Sequence, residues 1–335
     1  MIKPNPRFGV ICCVITNLIW GVCPIYWKQI TQAPYLQLLC HRIVWALPTL
    51  LIFLTATCQI QKLWTALCDW KLVLRYAISG IMLGATLFLT VWAVNSGHIV
   101  EMSLAFFINP LFNVLLGVVY LRETLRRWQW VSVACAAVGV LVVAISYGQV
   151  PWIALGIALN FSVYGLVKKL APLDSVTGVT IELTLLFIPA IIYLNTCHHK
   201  VFGHLDTKTD LLLVGAGIFP TAIPYVLFSA SAQHISMLLL GVLQYIQPTG
   251  HFLIGVFMYY EPFSTYKLIG FVIVWVALGM FTVESIVYHR QKASTPPISP
   301  SSNSAAEFVQ VDDGAMKSPQ AKYNASMSPN VIKTV

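Results

Sequence analysis

Charge is what this chain has least of. Of its 335 residues only 10% are Asp, Glu, Lys or Arg, against about 25% in a soluble domain. Acids are the scarcer sign, 12 against 20 Lys and Arg. With 58% hydrophobic residues and a mean hydropathy of +0.76, there is too little charge to cover a water-facing surface. Lipid is the solvent that fits this composition.

Other absences narrow the chemistry. The eight cysteines contain no Cys-x-x-Cys pair, and most, such as Cys12, Cys13, Cys40 and Cys135, lie inside apolar runs. They read as small buried side chains, not as disulfides or metal ligands. There is no phosphate loop, no metal-ligand cluster and no nucleophile triad, so neither a cofactor nor a metal is expected, and the chain does not read as an enzyme. The pair His198-His199 falls in a loop and reads as solvated. The net charge of +8 is scattered between apolar runs and forms no basic domain, which argues against nucleic acid as a partner. No small-residue cleavage signal follows the first apolar run, which holds Asn17 and Pro24, so a retained first helix is expected.

A helix needs about 20 apolar residues to cross the hydrocarbon. Ten candidates follow, at 8–27, 37–57, 72–95, 99–121, 128–147, 151–167, 176–196, 210–232, 236–259 and 266–288. The sixth is the shortest. With the N-terminus in the cytoplasm, 15 of the 20 basic residues fall on the inner side and five outside: Lys28, Arg42, Lys200, Lys208 and Lys267. Basic residues concentrate on the cytoplasmic side, so both termini are expected there. From 291 to 335 the composition turns to Ser and Pro, as in Ser294-Thr295-Pro296-Pro297. Such a segment cannot bury a core, and a disordered cytoplasmic tail is expected.

The two halves resemble each other. One offset of 138 aligns Asn109-Pro110 with Gln247-Pro248, Gly117 with Gly255, Glu123 with Glu261 and Asn95 with Gln233. An offset of 144 sets Trp20-Gly21 on Tyr164-Gly165. Five spans per half is an odd number, so the second copy is inverted in the membrane. Inverted repeats are the architecture of many secondary transporters.

At the level of motifs the chain resembles EamA-type transporters of the drug/metabolite transporter superfamily, and most closely the RarD branch, which carries a chloramphenicol-sensitivity label. The resemblance covers about residues 8–290. It rests on Ile19-Trp20-Gly21 with Pro24, His41-Arg42-Ile43-Val44-Trp45, Trp92-Ala93-Val94-Asn95, Phe107-Ile108-Asn109-Pro110-Leu111, Tyr164-Gly165-Leu166-Val167, Ile181-Glu182 and Gln244-Tyr245-Ile246. It implies an all-α membrane protein of ten transmembrane helices built as two inverted five-helix EamA repeats, 1–147 and 148–290, followed by the tail 291–335. It also implies a plasma (inner) membrane location.

Ionisable and amide groups inside spans mark candidate solute contacts, because they are costly in hydrocarbon. Glu182 sits about a turn and a half inside its helix, where a carboxyl can carry a proton or hold a cation; a structural hydrogen bond is the alternative. Arg42 can bind a substrate carboxylate or phosphate with two parallel hydrogen bonds, or snorkel to the outer headgroups; its place near a helix end favours snorkelling. His41, Trp45 and Pro48 share one face. Asn109 and Asn113 share a face of the fourth span, and Gln244, Gln247 and His251 a face of the ninth. Pro110 and Pro248 beside them free backbone carbonyls. A polar stripe in matched places of both halves points to a midplane site, with interhelical hydrogen bonding as the alternative. Asn17, Trp20, Trp92, Asn95 and Tyr245 complete the candidate path; any one of the aromatics is also explained by packing.

The function expected is a secondary transporter that moves a small metabolite or drug-like solute by alternating access, with protons as the candidate coupling ion. The expected partners are that solute and the bilayer. Two rivals are a membrane-embedded lipid-modifying enzyme, of which only His41 with Glu101 is a beginning, and a receptor or scaffold signalling through the C-terminal tail.

Overall fold

The computed structural model of the chain describes residues 4–30, 32–96, 98–146, 148–197, 200–260 and 265–294. The tail from 295, Glu261 and His198-His199 lie outside the described residues, as do a few helical side chains, that of Asn95 among them. The described residues contain no β-strand. The chain divides into a large unit, Met1–Val287, and a second, Tyr288–Val335, whose described part is the end of the last helix.

The helices run α1 Pro6–Trp27, α2 Tyr35–Ala56, α3 Ile60–Cys68, α4 Trp70–Asn95, α5 Ile99–Val119, α6 Arg127–Ser146 and α7 Trp152–Lys169. Then come α8 Ser175–Thr196, α9 Thr207–Gly217, α10 Ile223–His234, α11 Met237–Gln244, α12 Ile246–Leu253 and α13 Thr265–Ser294. A π-helical turn, Ile218–Ala222, joins α9 to α10, and another, Ile254–Met258, follows α12. Side-chain oxygens cap several starts: Asn5 Oδ1 accepts from Phe8 N at 3.3 Å, Asp174 Oδ2 from Thr177 N at 3.1 Å and Ser236 Oγ from Leu239 N at 3.2 Å. Each satisfies an amide that has no partner within its own helix.

Among the described residues nine helical stretches are long and apolar enough to cross a membrane. The sixth expected span, α7, is not among them. Its 18 residues end in Lys168 and Lys169, which dilute its apolar character. At 1.5 Å per residue it is roughly 27 Å long. The eighth and ninth expected spans are not plain helices. The eighth, Thr207–His234, contains a π turn at Pro220. The ninth, Met237–Met258, is broken at Tyr245 ahead of Pro248 and ends in a second π turn. Proline removes a helix donor and clashes with the preceding turn, which is the physical cause of such breaks. The short helix α3, expected as loop, packs Leu63 and Ala66 beneath α4 and α8 and leaves Trp64 exposed.

The outer surface fits lipid. On α1, Ile11, Ile15, Leu18 and Val22 are exposed at spacings of four, three and four, while Cys13, Thr16, Asn17 and Trp20 on the other face are buried. In water such a stripe would be driven to associate; in hydrocarbon it is the normal surface. Between helices, small residues permit close crossings. A Cβ on Gly250 would come within 3.0 Å of Gly21 Cα, and one on Gly241 within 2.6 Å of the Pro110 carbonyl. Gly21 and Pro110 lie in the first half of the chain, Gly241 and Gly250 in the second, so these crossings stitch the two halves together.

Candidate functional site

A cavity of ≈ 830 Å³ opens at one end of the bundle. Its walls come from the C-terminal parts of α1, α4 and α6 and the N-terminal parts of α2, α5, α7 and α13. In an up-and-down bundle these parts all belong to one end. Both π turns reach it as well, through Pro220 and through Ile254. π turns and broken helices expose backbone groups where a ligand can use them.

Five expected site residues meet there: Trp20, Arg42, Asn109, Gln247 and His251. Trp20 Nε1 donates to the Pro220 carbonyl at 3.3 Å, and its ring stands edge-on to Phe161 and Tyr225. Arg42 Nε donates to Thr221 Oγ1 at 3.0 Å, and the guanidinium carbon lies 5.0 Å from the Trp27 ring centre. Arg42 therefore lines the cavity and does not snorkel outward; Thr221 and Trp27 draw it inward. His251 Nε2 lies 3.0 Å from the Trp20 carbonyl, and its ring stands 5.6 Å from Phe106. Because an imidazole nitrogen bonds a carbonyl only as a donor, Nε2 carries the hydrogen.

The polar stripe divides at the helix break. Asn109 sits at the base of the cavity, where its Nδ2 donates to Gln244 Oε1 at 3.2 Å and its Oδ1 accepts from Ser162 at 2.7 Å. Asn113 is fully buried and donates to the same Gln244 oxygen. Asn113 and Gln244 thus belong to an interhelical network that ties α5 to α11, while Gln247, beyond Tyr245, faces the cavity. Tyr245 is buried in the apolar cluster of α5, α7 and α13 and does not line it.

The remaining candidates lie elsewhere. Asn17 donates to its own helix, to Cys13 O at 2.7 Å. His41 and Trp45 both lie against Phe202, at 5.3 and 5.4 Å. Trp92 is exposed and stacks on His98. Glu101 is buried and accepts from Ile153 N at 3.0 Å, capping α7; His41 and Glu101 have separate neighbours.

Glu182 is at the opposite end of the bundle and is fully buried. Its Oε1 accepts from Lys168 Nζ at 2.9 Å and from Ser79, and its Oε2 accepts from Tyr164 at 3.0 Å. Lys168 is itself 1% exposed and lies over the Tyr76 and Tyr164 rings. Around this layer, Lys169 Nζ donates to the Ile235 carbonyl, and Ser175 Oγ to Gln233 Oε1 at 2.9 Å. Glu123 accepts from Met237 N and Leu238 N at 2.8 and 2.9 Å, capping α11. First-half residues Ser79 and Glu123 are thereby tied to second-half helices.

The sequence reading missed Lys168, which it counted as a loop charge, and with it Ser79 and Tyr164. A signal existed: an acid inside a span needs a base, and Lys168 follows Tyr164 by four residues on one helix face. It also missed Trp27, Phe161 and Tyr225 in the cavity, where nothing in an aromatic-rich apolar run separates a wall residue from packing, and the buried Thr221 behind Arg42.

A bundle of apolar helices, made of two halves and holding a solute-sized cavity toward one end with a buried ion pair beyond it, is the build of a membrane transporter. The EamA-like transporter family matches residues 7–145 and 150–283, and the chain belongs to that family. It is 39% identical over 290 residues to the uncharacterized transporter YojE of Bacillus subtilis (strain 168), covering 85% of this chain and 97% of that one. To protein RarD of Salmonella typhi it is 37% identical over 289 residues, covering 85% and 98%. A solved crystal structure superposes with a TM-score of 0.65 at 17% identity, covering 84% of this chain and 99% of that one; at that identity the likeness speaks for the fold alone.

Proposed function

We propose that the protein is a secondary carrier for a small metabolite or drug-like solute, working by alternating access across the plasma (inner) membrane with both termini in the cytoplasm. The observation that carries this reading is the ≈ 830 Å³ cavity lined by both halves, with the Lys168–Glu182 layer closing the bundle opposite its mouth. Residues 1–147 and 148–290 act as two inverted repeats. When they exchange conformations, the layer opens and the cavity mouth closes. With the termini inside, the described state faces outward.

Glu182 is the coupling group in this reading. As a carboxylate it holds Lys168, Ser79 and Tyr164. A proton on Glu182 removes the ion pair and loosens the layer, which links opening to protons. The experiment is uptake and efflux by purified protein in proteoliposomes, with a broad metabolite panel and an imposed pH gradient. Saturable flux supports the carrier reading, and its absence for every solute refutes it. For topology, reporters fused after Arg290 should be active in the cytosol, and reporters within 196–209 should not.

A further inference from the structure

Resting on the carrier reading, we infer that the solute is an organic anion: a carboxylate held by Arg42, on an apolar or aromatic body held by Trp20, Phe161 and Tyr225. Arg42 is charged at every physiological pH. Its Nε is used by Thr221, and among the described residues no carboxylate lies within ion-pair distance of it. An arginine inside a bundle normally pairs with an acid. Here Thr221 and Trp27 hold the guanidinium in place but supply no negative charge. The terminal fork is left to the cavity, with the planar donor geometry that takes a carboxylate.

The body of the solute is set by the same turn of backbone. Trp20 is tethered to the Pro220 carbonyl and Arg42 to the neighbouring Thr221 side chain. The π turn Ile218–Ala222 therefore fixes the head-group donor and the aromatic wall relative to each other. Phe161 and Tyr225 stand edge-on to Trp20 at 5.8 and 5.3 Å and extend that wall. Asn109, Gln247 and His251 add neutral hydrogen-bonding capacity.

Charge counting excludes the neighbouring classes. Among the described residues lining the cavity there is no Asp or Glu. Lys28 and Arg42 are the cations on its wall, so a zwitterion or an amine would bring an ammonium to a positively charged site with no anionic partner among the described residues. Unpaired charge in a low-dielectric pocket is strongly disfavoured.

The test is equilibrium binding to the full-length protein in nanodiscs at pH 7.5. The probes are radiolabelled 3-phenylpropionate, 3-phenylpropanamide, phenethylamine and phenylalanine. The carboxylate should bind roughly tenfold or more tighter than the amide, the scale of a charge-assisted hydrogen bond, and tighter than the amine and the zwitterion. Arg42→Gln should erase that preference while amide binding persists, which also reports a folded cavity. Arg42→Lys should keep part of it. Equal binding of carboxylate and amide, tighter binding of the amine or the zwitterion, no binding of any probe, or an undiminished preference in Arg42→Gln would each overturn the inference. Flux of a non-anionic solute, alongside any of these, would leave the carrier reading standing and sink only the assignment of substrate class.

Discussion

Removing either member of the Lys168–Glu182 pair should destabilise the protein far more than removing both. The side chains are 1% and 0% exposed and 2.9 Å apart. Breaking a buried pair by deleting one partner costs about 3–5 kcal/mol, because the other charge is left uncompensated, whereas replacing both is near neutral. Glu182→Gln leaves the Lys168 ammonium without a counter-charge, although the amide oxygen can still accept from Tyr164. Lys168→Met leaves the carboxylate with Ser79 and Tyr164 as its hydrogen-bond donors. Lys168→Met/Glu182→Gln removes both charges and keeps an acceptor for Tyr164. The coupling between the two substitutions should therefore be about 4 kcal/mol or more, above the range usual for contacting residues. At about 2 °C per kcal/mol for a chain of this size, each single variant should melt roughly 6–10 °C below wild type, and the double variant within a few degrees of it. Fluorescence-detected gel filtration after graded heating reads these midpoints. Additive losses in the double variant, or single variants as stable as wild type, would refute the pairing and the closing role assigned to it.

Three further outcomes follow from particular contacts. Glu123→Ala removes the acceptor for Met237 N and Leu238 N and should lower stability by about 1–2 kcal/mol, as loss of a helix N-cap does, with Glu123→Gln intermediate in the same heating assay. Gly241→Ala must push α11 off the Pro110 carbonyl, 2.6 Å from the new carbon, and should cost about 1–3 kcal/mol, whereas Gly156→Ala, with nothing within 4 Å, should be neutral or better. Deleting 295–335 should leave insertion and flux unchanged, since nothing in that composition can pack against the bundle; loss of inserted protein on a membrane-fraction blot would contradict this.

The helical architecture was legible in the sequence because hydrocarbon leaves few options. Long apolar runs must be helices, and only α3 and the π turns went unseen. The breaks near Pro220 and at Tyr245 could be suspected from Pro220 and Pro248, but not located, because Pro24, Pro48 and Pro189 sit in helices that run on. In the site, chemistry was readable and partnership was not. Glu182 stood out as an acid within a span, yet its partner Lys168 looked like an ordinary helix-end lysine beside Lys169. Arg42 looked like a snorkelling residue because its distance from the helix end was visible and Thr221, 179 residues away, was not. The stripe Gln244, Gln247, His251 was read as one face of a continuous helix; the break at Tyr245 sends Gln244 to the Asn109–Asn113 network and the other two to the cavity.

A carrier of this build opens its cavity and its polar layer in alternation. Two thiols on the same helix test it directly: Thr90→Cys in the cavity wall and Ser79→Cys in the closing layer, about 16 Å apart along α4. Each is placed singly in a chain whose eight native cysteines have been replaced. Reactivity toward a charged, membrane-impermeant thiol reagent is followed in proteoliposomes, with and without Glu182→Gln. Reciprocal behaviour is expected: a fast Thr90→Cys and a protected Ser79→Cys in the wild-type background, with the first slowing as the second quickens once Glu182 no longer holds Lys168. Rates that change together, or that do not change at all, would contradict it.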